Sequence, residues 1–413
     1  MKGSFTLFFY MKRKEGCMEP LRILMLAWEY PPMMVGGLGR HVYELSRALA
    51  YYGHDVHVVT VHEEQCTTYE KVHGVHVHRV SVDYREKYHF YEWIAALNKS
   101  MLAYTQELCK GYVFDVIHAH DWLVAICAMD LQKKQQLTLV TTVHATEHGR
   151  NSGIYTSLQW KIHMHEKELV KESNVVIVCS QFMKSEVMRN FEINSEGVIV
   201  HPNGIDCNFF HAVTPSLEIT KRYHLSDRLV VFSIGRIVNE KGFYTIIEAA
   251  PHITQRYPQV LFIIAGQGTM LEQYRAVVQR KGLQHSILFL GHITEEEQRA
   301  FFQRCDVLLI PSLYEPFGIV VLEGMLAKKP VLVSRVGGLQ EIIIEGVNGF
   351  LMKAGCAQSL NEKLICIIEQ PEIAQCAANK GYEDVLVHYN WSEIARATAH
   401  TYEKAVQHHK CGG

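Results

Sequence analysis

At 413 residues the chain is long enough for two domains, and with 48% apolar and 20% charged residues it has the composition of an ordinary soluble globular protein. A formal net charge of −2 at pH 7 gives no electrostatic reason to expect nucleic acid or an anionic membrane as a partner, and no apolar run approaches the ~20 residues of an integral membrane segment. The 11 cysteines are scattered, odd in number and never spaced C-x-x-C, which favours free thiols and a cytoplasmic location.

In chain order, residues 1–20 come first. Phe5 to Met11 is apolar but short, and the basic residues Lys12 to Lys14 follow it rather than precede it, the reverse of a secretory signal. This segment reads as a poorly ordered extension, with Met18 as an alternative start. Strands are expected at 23–27, 56–61, 75–80, 116–118, 137–143, 175–179 and 198–200, with helices near 38–52, 93–109, 123–133, 158–171 and 182–190. His73, His76 and His78 alternate along what reads as a solvent-facing edge strand. Residues 211–227 are polar without a clear period and read as a linker. A second series of strands follows at 229–234, 261–265, 287–290, 307–310 and 330–334, and the chain closes in helical patterns at 357–369, 373–388 and 391–407. Strand and helix alternate throughout, which predicts an α/β protein with parallel sheets in two Rossmann-like domains, 21–210 and 228–388, and a ligand cleft between them.

Five stretches carry candidate chemistry. Met34-Val-Gly-Gly-Leu-Gly-Arg-His41 links the first strand to a helix; its glycines allow close backbone approach and the helix start favours anions, although a plain tight turn reads equally well. His118-Ala-His120-Asp121-Trp122 ends a strand, and its H-x-H spacing also admits a metal site with His144, His163 or His165. His144 ends the next strand. Arg236 and Lys241 sit on the first loop of the second half, where two fixed cations would stabilise a departing diphosphate more than its ground state. Last, the strand at 307–310 runs into a loop with Glu315, then Phe317-Gly318 and a helix carrying Glu323, eight residues on. Amides near Gly318, Ile319 and Val320 can hold phosphate oxygens, and Glu323 lies about a turn deeper, where it can accept hydrogen bonds from sugar hydroxyls. In outline this is a nucleotide-sugar pocket, although two carboxylates also admit a glycosidase acid/base pair.

Glu315-Pro-Phe-Gly-Ile-Val-Val-Leu-Glu323 resembles the E-x7-E motif of the retaining family 4 glycosyltransferases, and the other four stretches resemble that group in its expected order, over about 21–402. The resemblance implies the GT-B fold, with a C-terminal helix in 389–413 crossing back to the first domain. It puts Gly36 and Gly37 beside the donor phosphates, Asp121 and His144 at the transferred sugar, Arg236 and Lys241 on the diphosphate, Glu315 near the sugar and Glu323 on the ribose. One departure stands out. Glycogen synthases often read K-T-G-G here, whereas this chain has Met34-Val35 before its glycine pair, with Arg40 the nearby cation.

The implied reaction is retaining transfer of a hexosyl unit, first choice glucosyl, from a nucleotide diphosphate sugar. Trp28-Glu-Tyr-Pro-Pro and the segment from His144 to Arg150 resemble the compact glycogen-synthase-like members, which makes an α-1,4-glucan the first choice of acceptor. Lipid, cell-wall and small-molecule acceptors, a nucleotide-sugar 2-epimerase and a metal-dependent hydrolase are the alternatives. The chain has no D-x-D pair, so neither a metal nor a cofactor is expected. The pattern carries no signal for the donor's base or for oligomeric state.

Overall fold

The computed structural model describes residues 19–82, 90–210 and 216–411. Apart from Glu19 and Pro20, the expected N-terminal extension lies outside these residues. So do 211–215 of the expected linker and 412–413 of the closing segment.

The first domain is built on strands β1 (Arg22–Leu26), β2 (Asp55–Val61), β3 (Tyr69–Val72), β4 (Val75–Val80), β5 (Val116–His120), β6 (Thr138–Val143), β7 (Val175–Val178) and β8 (Val198–Val200). The second uses β9 (Leu229–Ile234), β10 (Val260–Ala265), β11 (Ile287–Gly291), β12 (Val307–Ile310), β13 (Val331–Ser334) and β14 (Phe350–Met352). Most are short, β-branched apolar runs buried on both faces, as strands between two helical layers must be. The first sheet runs β3-β4-β2-β1-β5-β6-β7-β8, parallel except for the β3–β4 pair, and the second runs β11-β10-β9-β12-β13-β14, all parallel. Each order reverses direction once, between β1 and β5 and between β9 and β12. A crevice opens at the carboxyl ends of the strands at such points.

Two departures from the sequence reading have physical causes. β4 is not an edge: the short antiparallel β3 lies outside it, and the Phe90–Gly111 helix covers one face. His78 is therefore buried, with Nδ1 2.9 Å from Tyr104 Oη, although His73 is exposed and His76 half-buried. Within the expected linker, residues Ser216–Arg222 form a helix, and Ile219 and Leu225 bury into an apolar cluster to which both domains contribute.

The Gly37–Tyr51 helix shows how sequence positions the site. Leu38, Val42, Leu45 and Leu49 recur at helical spacing and bury against the first sheet, which aims the helix N-terminus at the β1–β5 crevice. The Trp391–Cys411 helix packs on this helix and β6, with Trp391, Ile394, Ala395, Ala399 and Tyr402 in the core of the first domain. No helix among the described residues is long and apolar enough to cross a membrane.

Candidate active site

The first domain contributes the loop after β1. Glu29, 2% exposed, accepts hydrogen bonds from the backbone amides of Val35, Gly36 (3.2 Å) and Gly39 (3.0 Å), and so clamps the glycine turn from below. Burial raises its pKa, partly offset by those amides. Gly36 faces open space, and a methyl group on Gly37 would stand 3.3 Å from Ile319 Cδ1 of the second domain. The sequence reading passed over Glu29, because only the fold brings its carboxylate beneath amides as far along as Gly39.

Asp121 follows β5 with φ 60° and ψ 176°, a region otherwise left to glycine, and strain of this kind concentrates at functional sites. Its Oδ1 accepts the His144 amide at 2.6 Å, and its Oδ2 lies 4.0 Å from Arg150 Nη2. Burial pushes the Asp121 carboxyl up to about 6 against the pull of Arg150. His144, at the end of β6, is pushed down to about 3, by burial first and Arg150 second, so its imidazole is neutral at physiological pH. His120 Nδ1 lies 3.3 Å from His144 Nε2.

The H-x-H pair does not ligate as a pair. His118 has both ring nitrogens occupied, Nε2 at 2.7 Å from Thr142 Oγ1 and Nδ1 at 2.6 Å from Tyr402 Oη. His163 and His165 sit on the Ser157–Glu172 helix, with His165 Nε2 2.7 Å from Tyr91 Oη. Instead His41, His120 and His144 converge, their ligand atoms all within 4.8 Å, and His41 Nδ1 is held 2.6 Å from Asn203 Oδ1.

In the second domain Arg236 and Lys241 follow β9, and Glu315, Gly318 and Glu323 follow β12. Lys241 Nζ donates to Glu315 Oε2 at 2.7 Å, and Ser312 Oγ donates to the same oxygen at 3.0 Å. Arg236 pairs with Glu240 at 3.2 Å and lies within the electrostatic reach of Arg150 and Glu29 from the first domain. Gly318 has φ 112° and a methyl there would stand 2.5 Å from Leu339 Cδ2, so only glycine serves at the start of the Ile319–Leu326 helix. No side chain caps that helix, which leaves the Ile319 and Val320 amides for an anion. The loop after β10 was also missed: side chains at Gly266 and Gly268 would overlap the carbonyls of Gly235 and Ile237, so the two loops lie backbone to backbone.

Glu323 is 2% exposed and its pKa is raised by burial, with Arg40 pulling the other way. One oxygen pairs with the Arg40 guanidinium from the first domain, and the other accepts from Gln298 Nε2 at 3.0 Å. Arg40 also stacks over Phe209 at 4.7 Å. Other contacts join the domains. Tyr314 Oη donates to Glu186 at 2.7 Å, and its ring lies so close to Gly149 that a methyl there would overlap it. Ser180 Oγ donates to the Pro316 carbonyl at 2.7 Å, and the Glu341 carboxylate accepts the amides of Gln181 and Phe182 at 2.9 and 2.7 Å.

The structure thus gathers Gly36, Gly37, Asp121 and His144 at one crevice and Arg236, Lys241, Glu315, Gly318, Ile319, Val320 and Glu323 at the other. The crevices meet through Gly37 against Ile319 and Arg40 against Glu323.

Residues 35–209 match the family described as Glycosyltransferase Family 4, and residues 217–384 match Glycosyl transferases group 1. A glycogen synthase of Mycobacterium tuberculosis is 34% identical over 397 residues, covering 92% of this chain and 94% of that protein. Among solved structures, the sucrose-phosphate synthase of Thermosynechococcus elongatus superposes with a TM-score of 0.80 at 22% identity, over 93% of this chain and 98% of that one. The catalytic domain of starch synthase IV from Arabidopsis thaliana, bound to ADP and acarbose, gives 0.76 at 18% identity, over 94% and 100%. The paired crevices and these likenesses agree: the chain belongs to the GT-B glycosyltransferases, with a family 4 first half and a group 1 second half.

Proposed function

We propose that the chain is a retaining hexosyltransferase moving a glucosyl unit from a nucleotide diphosphate sugar to a hydroxyl of an α-1,4-glucan. One observation carries the reading: phosphate-type groups, sugar-type groups and a buried carboxylate stand at the two crevices where the sheets change direction, and those crevices meet. Identity of 34% to a glycogen synthase over nearly the whole length supports the glucan acceptor.

In this reading the diphosphate lies against the Ile319 and Val320 amides with Arg236 and Lys241 beside it. As the bond to the sugar breaks, charge collects on the diphosphate, and fixed cations in a partly dry cleft stabilise that state most. Lys241 is held by Glu315, which pre-orders the ammonium before the donor arrives. The acceptor hydroxyl attacks on the face the diphosphate leaves, a phosphate oxygen takes its proton, and configuration is kept. His144, with its pKa near 3, serves as a neutral hydrogen-bonding partner for the sugar rather than as an acid. Asp121 fixes the His144 backbone, and Glu323 takes the ribose hydroxyls. Arg236, Lys241 and the helix amides do what a divalent ion does in enzymes with a D-x-D pair, so chelation leaves turnover intact. The nine cysteines whose side chains are described are all free, which supports a cytoplasmic setting.

The test is nucleotide release from UDP-glucose, ADP-glucose and GDP-mannose, each with and without glycogen and without added metal. Release stimulated by glycogen, with labelled glucose in the polymer, is the expected result. Donor isomerisation without acceptor would overturn the transfer reading. Transfer only to a lipid or small-molecule acceptor would overturn the glucan assignment.

A further inference from the structure

At the end of the first sheet opposite the candidate active site, three metal-ligating side chains come together. Asp55 opens β2, His57 follows on the same face, and His76 of β4 is the direct register partner of His57. Asp55 Oδ1 lies 3.3 Å from His57 Nε2 and 3.6 Å from His76 Nε2, and the three ligand atoms are all within 4.8 Å of one another. The two imidazoles stack, with centroids 4.5 Å apart and planes 7° from parallel, and present the same nitrogen to the same carboxylate oxygen.

The opposite ring nitrogens have partners. His57 Nδ1 is 3.0 Å from His78 Nε2, His78 Nδ1 is 2.9 Å from Tyr104 Oη, and His76 Nδ1 is 2.9 Å from Tyr69 Oη. Asp55 Oδ2 accepts from Arg22 Nε at 2.6 Å, which leaves Oδ1 for the cluster. When each Nδ1 donates outward along this chain, each ring presents a bare Nε2 lone pair beside the same Asp55 carboxylate oxygen. A cation among them relieves that repulsion. His57 is fully buried and its Nε2 has no aligned hydrogen-bond partner. Ligating histidines in metalloproteins are held in this way, through the other ring nitrogen.

We propose that Asp55 Oδ1, His57 Nε2 and His76 Nε2 form a site for one divalent first-row transition metal, with zinc the best match to two imidazoles and a carboxylate. Asp55, about a third exposed, opens the site to solvent and leaves room for water as a further ligand. The ion joins β2 to β4 and, through Arg22, to β1. It acts as a staple of the sheet, away from the transfer chemistry.

The experiment strips the full chain with a chelator, dialyses it, and titrates Zn²⁺ against a chromophoric competitor, with Co²⁺ absorption as a second probe. One saturable site per chain is expected, together with a rise in melting temperature. Asp55→Asn combined with His76→Gln abolishes both, whereas His144→Gln, in the other histidine cluster, leaves both in place. Tyr69→Phe, an exposed change that removes only the partner of His76, weakens binding about tenfold. The proposal is overturned if the wild type binds no stoichiometric metal, because the protons then sit on Nε2 and point at Asp55. It is equally overturned if binding survives the double variant and is lost in His144→Gln.

Discussion

Asp121→Asn separates the chemistry of the site from its stability. Asp121 is buried, and its pKa of about 6 lies above the ordinary 3.8 even with Arg150 nearby. A carboxyl whose folded pKa is raised binds its proton more tightly in the folded state, so stability falls as pH rises from about 3.8 through 6. The shift costs the wild type about 3 kcal/mol at pH 8 and about half that at pH 5, at 1.36 kcal/mol per unit. Asparagine keeps an oxygen to accept the His144 amide, meets the same backbone strain as aspartate, and carries no charge to desolvate. The variant should therefore be more stable than wild type by about 2–3 kcal/mol at pH 8, and by about half as much at pH 5. Turnover should fall on the order of 100-fold, the scale of losing one charged group beside the transferred sugar, where the family resemblance puts Asp121. Chemical denaturation of both proteins at the two pH values, followed through the first-domain transition, reads the effect, and other titrating groups cancel in the difference. A variant less stable than wild type by the same amount at both pH values would refute the reasoning, because Asp121 would then be a paired structural charge.

Three further outcomes follow from the same geometry. Lys241→Ala should lower kcat roughly 100- to 1,000-fold with little change in donor KM, as expected for a cation that acts mainly in the transition state; a raised KM with intact kcat would make it a ground-state contact. Glu323→Ala should weaken nucleoside diphosphate binding by about 10- to 100-fold in calorimetry, and unchanged affinity would remove the ribose assignment. Gly149→Ala should destabilise the protein by about 1–3 kcal/mol through overlap with the Tyr314 ring. In a Tyr314→Ala background the same change should be neutral or stabilising, and additive effects in this cycle would rule out the contact as the cause.

The alternation of strand and helix was legible because apolar runs of five or six residues have few other readings, and the candidate residues were legible because they sit on loops just beyond such runs. The failures are as instructive. β3 and β14 are short, and β3 alternates exposed and half-buried residues, so neither carries a strand signal stronger than its loop context. The histidines of β4 alternate as a half-solvated strand would, yet a helix covers the second face and buries His78, because a parallel sheet is wrapped on both sides. Glu29 looked like one more polar residue after a strand. Its role exists only once the chain turns back over it and presents three amides. The fit of Gly149 to Tyr314 joins residues far apart in sequence and on different domains, and no local pattern marks it.

The Met34-Val35 departure takes on a definite meaning once Arg40 is placed. Sequence alone suggests that Arg40 replaces the missing lysine near the donor phosphates, yet its guanidinium is engaged with Glu323, the carboxylate assigned to the ribose. Both assignments hold if the donor exchanges partners. Glu323 lies four residues beyond Ile319 on one helix, about 6 Å along its axis. A ribose that takes the Glu323 oxygens frees Arg40 one helical turn from the amides that receive the diphosphate, a distance its side chain spans. Neither the half-buried Arg40 nor the buried Glu323 is then left unpaired, which is the condition for the exchange to be cheap, since stranding a buried carboxylate costs several kcal/mol. Arg40 belongs to the first domain and Glu323 to the second, so the exchange also changes a contact between the domains. With Glu323 assigned to the ribose as proposed, donor recognition and domain contact pass through the same two side chains, and a lysine two residues before the glycine pair would have separated them.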